Sequence, residues 1–331
     1  MDILMTGGTG YIGSHTCVQL QENGHRVTIV DNLSGSDADM VDRIERITGG
    51  RPEFYETDLR NEDGLDRVFE EVQPDAVMHF AALAKVEESV RHPLRYYRNN
   101  TGGSQTLLHV MRKHDVKNIV YSSSCTVYGE PEEIPVTEEA PLNPGNPYGR
   151  TKLFTEYLCR DLYASDDSWN CMILRYFNPV GAHPGGTIGE RAEEEPSKLM
   201  PYITRVASGE RDQLSVFGDD YPTRDGTPVR DYIHIMDLAD GHVKALNMMQ
   251  DQPGHHVYNL GTGRGYTVLE VIEAFKKATG CSIPYELTDR RQGDAAEIYA
   301  DASKAEEELG WTAEKTLEDM CRDAWRWERS E

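Results

Sequence analysis

Along the first 175 residues, short apolar runs alternate with stretches whose apolar positions recur every three or four residues, the pattern of a parallel sheet wrapped by helices. Runs at 3–6, 26–30, 53–55, 76–80, 118–121 and 171–174 predict strands, and stretches at 12–23, 61–71, 93–114 and 148–163 predict helices. Right-handed crossovers then give an α/β fold with a doubly wound parallel sheet of the Rossmann kind. Beyond Asn178 the texture changes. Pro, Gly and acidic residues crowd 179–196, which predicts an irregular, ligand-facing loop. Helical periodicity returns at 197–208, 236–249, 268–279, 304–309 and 317–329. Two of these helices have capping-box spacing, Thr267 with Glu270 and Ser303 with Glu306, and Gly280 closes the first. The expected organisation is one domain over 1–177 and a second, smaller α/β lobe over 178–331, with chain at about 230–260 returning to the first.

The first strand runs directly into Gly7-Gly8-Thr9-Gly10-Tyr11-Ile12-Gly13, which opens the first helix. Gly7, Gly10 and Gly13 permit a tight turn and let backbone amides approach a pyrophosphate at the helix N-terminus. Glycine-rich turns are common, but here the required strand precedes the motif and the required helix follows it. Asp31 ends the second strand about 20 residues on, where an acid holds adenosine ribose hydroxyls and repels a 2′-phosphate, favouring NAD over NADP. Asp58 has two readings, an adenine contact or the cap of the helix at Asn61.

Tyr148 and Lys152 are four apart at the head of a predicted helix, hence on one face, downstream of Ser122-Ser123-Ser124. A phenol of pKa near 10 is a poor base at neutral pH, but a neighbouring ammonium stabilises its phenolate. Tyr148 is therefore the candidate base for an alcohol undergoing hydride loss, with Ser124 hydrogen-bonded to the same hydroxyl. Taken singly, such a pair is more often a surface feature and a serine triplet a strand end. Glycine loop, serine and Tyr-x-x-x-Lys in this order are much harder to dismiss.

Composition narrows the rest. A net charge of −23 repels nucleic acid and acidic membranes, so neither is expected as a partner. Two origins fit this surplus equally, a high-salt cytoplasm or an ordinary acidic protein, and stability measured against salt separates them. Six scattered cysteines with no C-x-x-C pair predict reduced thiols and no zinc site, with Cys125 a bystander. With no long apolar run and no leader-like start, the protein is expected to be cytoplasmic.

Longer motifs carry a closer likeness. Residues 7–15 (GGTGYIGSH), 122–129 (SSSCTVYG), 147–152 (PYGRTK), 175–183 (RYFNPVGAH), 230–238 (RDYIHIMDL) and 290–294 (RRQGD) resemble the UDP-glucose 4-epimerase family of extended short-chain dehydrogenases. The resemblance runs nearly end to end and implies a tightly bound NAD, a UDP-sugar substrate, reversible C4 epimerisation of UDP-galactose and UDP-glucose through a 4-ketose, and a homodimer built on the helices at 93–114 and 148–163. It implies Tyr148 as base, Lys152 as its electrostatic partner and Ser124 as hydroxyl partner. For NAD it implies Gly7, Gly10, Tyr11, Ile12, Gly13, Asp31, Asn32, Asp58, Leu59, Phe80, Ala81, Ala82, Asn99 and Phe177, together with the three catalytic residues. For the UDP-sugar it adds Asn178, Lys198, Leu199, Phe217, Tyr232, the diphosphate clamp Arg230 and Arg291, the ribose contact Asp294, and Ile298. Ile298 stands where members vary between small and bulky residues, and its intermediate size implies preference for UDP-glucose and UDP-galactose over N-acetylated sugars.

The chain departs from the family pattern at Leu83-Ala84-Lys85, at 99–104 (NNTGGS), which keeps Asn99, and at 195–198 (EPSK), where Lys198 is still able to meet phosphate. A nucleotide-sugar 4,6-dehydratase needs an acid pair after Thr126, and Val127-Tyr128 stand there instead. A hydroxysteroid dehydrogenase would want an apolar pocket, against which Arg230 and Arg291 argue. A non-catalytic NAD-binding protein would be expected to have lost Tyr148 or Lys152.

Overall fold

Ile3, Leu4 and Met5 are almost wholly buried, as a strand covered on both faces requires. In the computed structural model, which describes residues 1–191, 198–291 and 294–330, this strand, Asp2–Thr6, lies in a seven-stranded sheet. The order across the sheet is His255–Leu260, Asn170–Tyr176, Asn118–Ser122, Ala76–His79, Asp2–Thr6, Arg26–Asp31 and Glu53–Glu56. From Asn170–Tyr176 to Glu53–Glu56 every pairing is parallel. Chain order reverses between Asp2–Thr6 and Ala76–His79, and at such a switch point the loops after the two strands part to leave a crevice. The sheet belongs mainly to a first compact unit of Met1–Gly129, Pro141–Arg175 and Ala239–Tyr258. Leu4, Val77, Ile119 and Ile173 form its core with Phe69, Leu107, Met111 and Trp169 from the covering segments. Each such side chain contributes about 1.5–3 kcal/mol by leaving water.

The second unit comprises Glu130–Ala140, Tyr176–Leu238 and Asn259–Glu331. Its central strand, Val229–His234, pairs in parallel with Asn178–Val180 and Glu297–Ile298 and antiparallel with Gly265–Thr267. A two-stranded ribbon joins Leu214–Phe217 to Tyr285–Thr288. Helices Leu199–Ser208, Val268–Thr279 and Leu317–Glu328 bury Ile203, Val271, Phe275, Met320 and Cys321 against one another and the strands. Asp231, wholly buried, accepts hydrogen bonds from the amides of Thr262, Gly263 and Ala300 and from the Thr262 hydroxyl. It thereby fixes the turn after His255–Leu260 and orders the strand carrying Arg230 and Tyr232, its immediate neighbours.

Several expectations need correction. The predicted helix at 93–114 is three pieces: Pro93–Tyr96, a π-helical turn Tyr97–Thr101, and Gly102–Lys113. Asn100, buried in that turn, gives the reason. Its side chain bonds both backbone groups of Leu83 and the Thr151 hydroxyl, and the wider turn brings it to them. The Thr267–Glu270 box forms, but the Ser303–Glu306 box does not. Ser303 donates its amide and hydroxyl to Asp301 instead. Thr316 and Asp319 form a box that went unread, because aspartate replaces the usual longer acid. The loop expected over 179–196 begins in the strand Asn178–Val180, while 192–196 lie outside the described residues, as does Ser197 at the head of the helix expected at 197–208. Among the described residues no helix is long and apolar enough to cross a membrane, and no cluster of metal-ligating side chains occurs.

Candidate active site

In the first unit the glycine turn occupies the switch point. Gly7 has φ +70°, and a Cβ there would stand 2.6 Å from the Ala81 amide nitrogen. A Cβ on Gly13 would stand 2.3 Å from the Gly7 carbonyl oxygen, so any side chain at either position breaks the turn. The helix Tyr11–Glu22 starts at Gly10 with no side-chain cap and no acid in its first turn, leaving its positive end unopposed. Tyr11 and Ile12 lie half-buried in that turn. Phe80 and Ala81 donate their amides to the Thr6 carbonyl, which presses the 80–82 segment against the glycines. Below it, buried His79 joins Thr6 and Ser104 at 2.7 and 2.8 Å. Burial and the nearby Lys152 push His79 down to about 3, so it is a neutral pin.

Asp31, 9% exposed, accepts from the amides of Thr9 and Leu33, and so ties the second strand to the glycine turn. Asn32 donates to Asp58 at 2.8 Å, and Arg60 forks onto the same carboxylate, holding it well below the usual carboxylate range. Asp58 does not cap the following helix; Asn61 does, accepting from the Gly64 amide. Leu59 is a core residue of this unit. Asn99 stands in the π-helical turn and donates to Asn100. The cradle closed to side chains, the unopposed helix end and the nearly buried Asp31 together fit a dinucleotide.

The helix Pro147–Ser165 is placed by two features of sequence. Asn146 caps it, accepting from the Gly149 amide, and Pro147 fills its first turn. Gly149 lets it approach Thr126, whose carbonyl would meet a Cβ at 2.8 Å. Tyr148 is thereby buried to 6% exposure in the same unit as Ser124, equally buried. Ser124 begins the short turn Cys125–Val127, its hydroxyl accepting from the amide and hydroxyl of Thr126. Lys152 is 3% exposed; its ammonium donates to the Ser122 carbonyl at 2.7 Å and lies 5.9 Å from the centre of the Tyr148 ring. Burial pushes it down to about 7, opposed by the charge of Glu156. Lys85 is exposed, with its amide on the Tyr96 hydroxyl.

In the second unit, Asn178, Lys198, Leu199, Phe217, Arg230, Tyr232, Arg291 and Asp294 line one cavity of about 290 Å³. Arg291 stacks on the Phe217 ring at 4.1 Å, while Arg230 meets Asp294 at 3.4 Å. Buried Tyr232 is pushed up to about 12 by desolvation and stays a neutral phenol. Reading the sequence missed Glu190, which pairs with Lys198, and Val268, both in the lining. Neither carries a motif; each is recognisable only by position. Phe177 and Ile298 are not part of the cavity wall. Phe177 is buried with its amide on the Leu260 carbonyl, and Ile298 is buried in register with Arg230. Glu195, Pro196 and Ser197 lie outside the described residues.

A switch-point glycine cradle, with a tyrosine and a lysine buried on one helix of the same unit and a serine buried just beyond one of its strands, defines a class of nucleotide-dependent enzymes acting on alcohols. The chain belongs to the NAD dependent epimerase/dehydratase family, whose model matches residues 3–261. It is 54% identical to UDP-glucose 4-epimerase of Bacillus subtilis (strain 168) over 330 residues, 100% of this chain and 97% of that one. Its structure is similar to that of UDP-glucose-4-epimerase from Stenotrophomonas maltophila with bound NAD and formylated UDP-arabinopyranose, at TM-score 0.98 and 51% identity, covering 100% of this chain and 98% of that one. It is likewise similar to the Bifidobacterium longum UDP-glucose 4-epimerase in complex with NAD+ and UDP, at TM-score 0.96 and 51% identity with the same coverage.

Proposed function

We propose that this chain interconverts UDP-glucose and UDP-galactose at C4, with Tyr148 as the base. The observation that carries this is the burial of Tyr148 and Lys152 on one helix and of Ser124 just beyond the strand Asn118–Ser122, all in the unit that holds the glycine cradle. Gly7, Gly10, Gly13 and Asp31 would hold NAD, with Phe80 and Ala81 against the turn. When bound, NAD supplies a hydride acceptor that also gives the hydride back. Tyr148 takes the proton from the C4 hydroxyl and later returns it to the same oxygen, while Ser124 holds that oxygen. Lys152 stabilises the phenolate in between. Epimerisation requires the 4-ketose to present its other face, so the anchor must be remote from C4. Arg230 and Arg291 supply it by gripping the diphosphate, to which forked guanidinium groups are suited. The acidic surface elsewhere concentrates anion binding on these few groups.

Arg291→Ala is expected to raise KM for UDP-galactose about 10- to 100-fold, the equivalent of about 1.5–3 kcal/mol for hydrogen bonds to a charged group, with kcat changed far less. Steady-state kinetics checks this, and an unchanged KM would remove Arg291 from the clamp. The function itself is tested by offering the purified protein UDP-galactose, UDP-N-acetylgalactosamine and UDP-xylose and assaying each for its C4 epimer. UDP-galactose should turn over fastest. Equal turnover of the N-acetylated sugar would refute the preference for UDP-glucose and UDP-galactose, and turnover of none would sink the activity.

The same material should sediment as a homodimer. Val90 and Leu94 are 61% and 82% exposed, and Phe154 is 49% exposed. Leu94, Tyr97 and Phe154 line an apolar surface hollow on the paired helices that a second copy would cover. A monomeric profile would count against it. The cytoplasm is the proposed location, supported by six free cysteines.

A further inference from the structure

Glu156 and Arg175 form a buried ion pair that no step above uses. Their side chains are 6% and 5% exposed, and the contact is two-pronged: Arg175 Nη2 to Glu156 Oε2 at 2.7 Å and Nε to Oε1 at 3.1 Å. Each partner also holds a second group. Glu156 accepts from the Ser123 hydroxyl at 2.5 Å, and Arg175 donates through Nη1 to the Tyr128 hydroxyl at 3.1 Å. Ser123 and Tyr128 bracket the segment that carries Ser124.

Backbone pairing holds the chain as far as Ser123, whose amide donates to the Leu174 carbonyl. Beyond that point the chain leaves the sheet for the turn Cys125–Val127. Glu156 lies one turn beyond Lys152 and two beyond Tyr148 on the same helix, so one helical face contacts the serine segment in order. Lys152 takes the Ser122 carbonyl and Glu156 takes the Ser123 hydroxyl. Two apolar residues of similar size would fill the space of the ion pair, but would remove the bonds that the Ser123 and Tyr128 hydroxyls make to it.

We propose that the Glu156–Arg175 pair is the positioning device for Ser124, clamping residues 123–128 at both ends so that the Ser124 hydroxyl holds a fixed place for the substrate oxygen. This rests on the roles given to Ser124 and Tyr148 above. The pair acts through the segment it grips, by its bonds to Ser123 and Tyr128. A displacement of the Ser124 hydroxyl by a fraction of an ångström affects turnover more than binding, because the proposed diphosphate grip is made by other residues, Arg230 and Arg291.

The test is a set of double-mutant cycles on the NAD-loaded protein. Tyr128→Phe removes one hydroxyl and keeps the ring; Arg175→Lys keeps the charge and loses the fork. Each is measured alone and on a Ser124→Ala background, with thermal midpoints to establish folding. Alone, each should lower kcat by roughly tenfold, with KM for UDP-galactose within about twofold and NAD content unchanged. On the Ser124→Ala background the same changes should have almost no further effect, since their target is already gone. A folded Tyr128→Phe protein at full kcat would overturn the clamp, and so would losses that multiply undiminished with Ser124→Ala. Tyr128→Phe carries the test alone if Arg175→Lys fails to fold. Turnover of the unsubstituted protein in the same assay tests the function, and the ratio of variant to wild type tests the clamp, so the two failures are distinguishable.

Discussion

Replacing Tyr148 with Phe is expected to lower kcat by about 10²–10⁴-fold, the range lost when a positioned acid–base group is removed. The ring is 6% exposed and is retained, so folding should survive. Loss of one hydroxyl costs about 1 kcal/mol in stability. NAD should remain bound, because the glycine cradle and Asp31 are untouched. The measurement is steady-state epimerisation alongside NAD content and thermal midpoint. A folded, NAD-loaded variant at the wild-type rate would show that another group removes the proton.

Lys152→Met is expected to have opposite effects on catalysis and on stability. Turnover should fall by about 10²–10⁴-fold, since the phenolate loses its stabilising ammonium. Protein stripped of NAD should nevertheless become more stable. Burial lowers Lys152 from 10.5 to about 7, so below pH 7 the folded protein carries a desolvation penalty that the unfolded chain escapes. The sign follows from proton counting. Between about pH 7 and 10.5 the unfolded chain binds a proton at this site that the folded protein does not, so this residue makes stability rise with pH across that window. At 1.36 kcal/mol per unit the shift is worth roughly 4–5 kcal/mol, and the lost bond to the Ser122 carbonyl returns about 1–3 kcal/mol. A net gain of about 2 kcal/mol near neutral pH is therefore expected, shrinking towards pH 10. Denaturant unfolding across pH checks it. A Met variant less stable than wild type at pH 7 would mean that this cation is better compensated in the fold than burial alone allows.

Local pattern and chemistry made much of this legible. Sustained alternation of apolar runs and amphipathic stretches marks a parallel sheet with crossover helices, and six of the seven sheet strands were read within a residue or two. The Thr267 box and Gly280 were readable because a cap uses neighbours in sequence. Tyr148 and Lys152 share a face because any helix puts residues four apart together. What escaped depends on residues far apart in the chain. The strand His255–Leu260 joined the sheet across the chain, and its own sequence says nothing of its partner. Asn100 reshaped a helix because Leu83 and Thr151 offered it bonds. Asp231 reads as an ordinary surface acid between Arg230 and Tyr232, yet four donors from distant segments meet on it.

By itself, then, the amino-acid sequence determined which residues have the chemistry: a phenol and an amine one helical turn apart, a glycine turn that excludes side chains, an acid at the end of the second strand. Only the tertiary structure decided how that chemistry is tuned and held. Whether a lysine is displaced towards neutrality depends on burial, and whether Glu156 finds Arg175 depends on a helix and a strand meeting. Electrostatic strength depends on the surrounding dielectric and on distance, and both are properties of the folded chain rather than of any stretch of it.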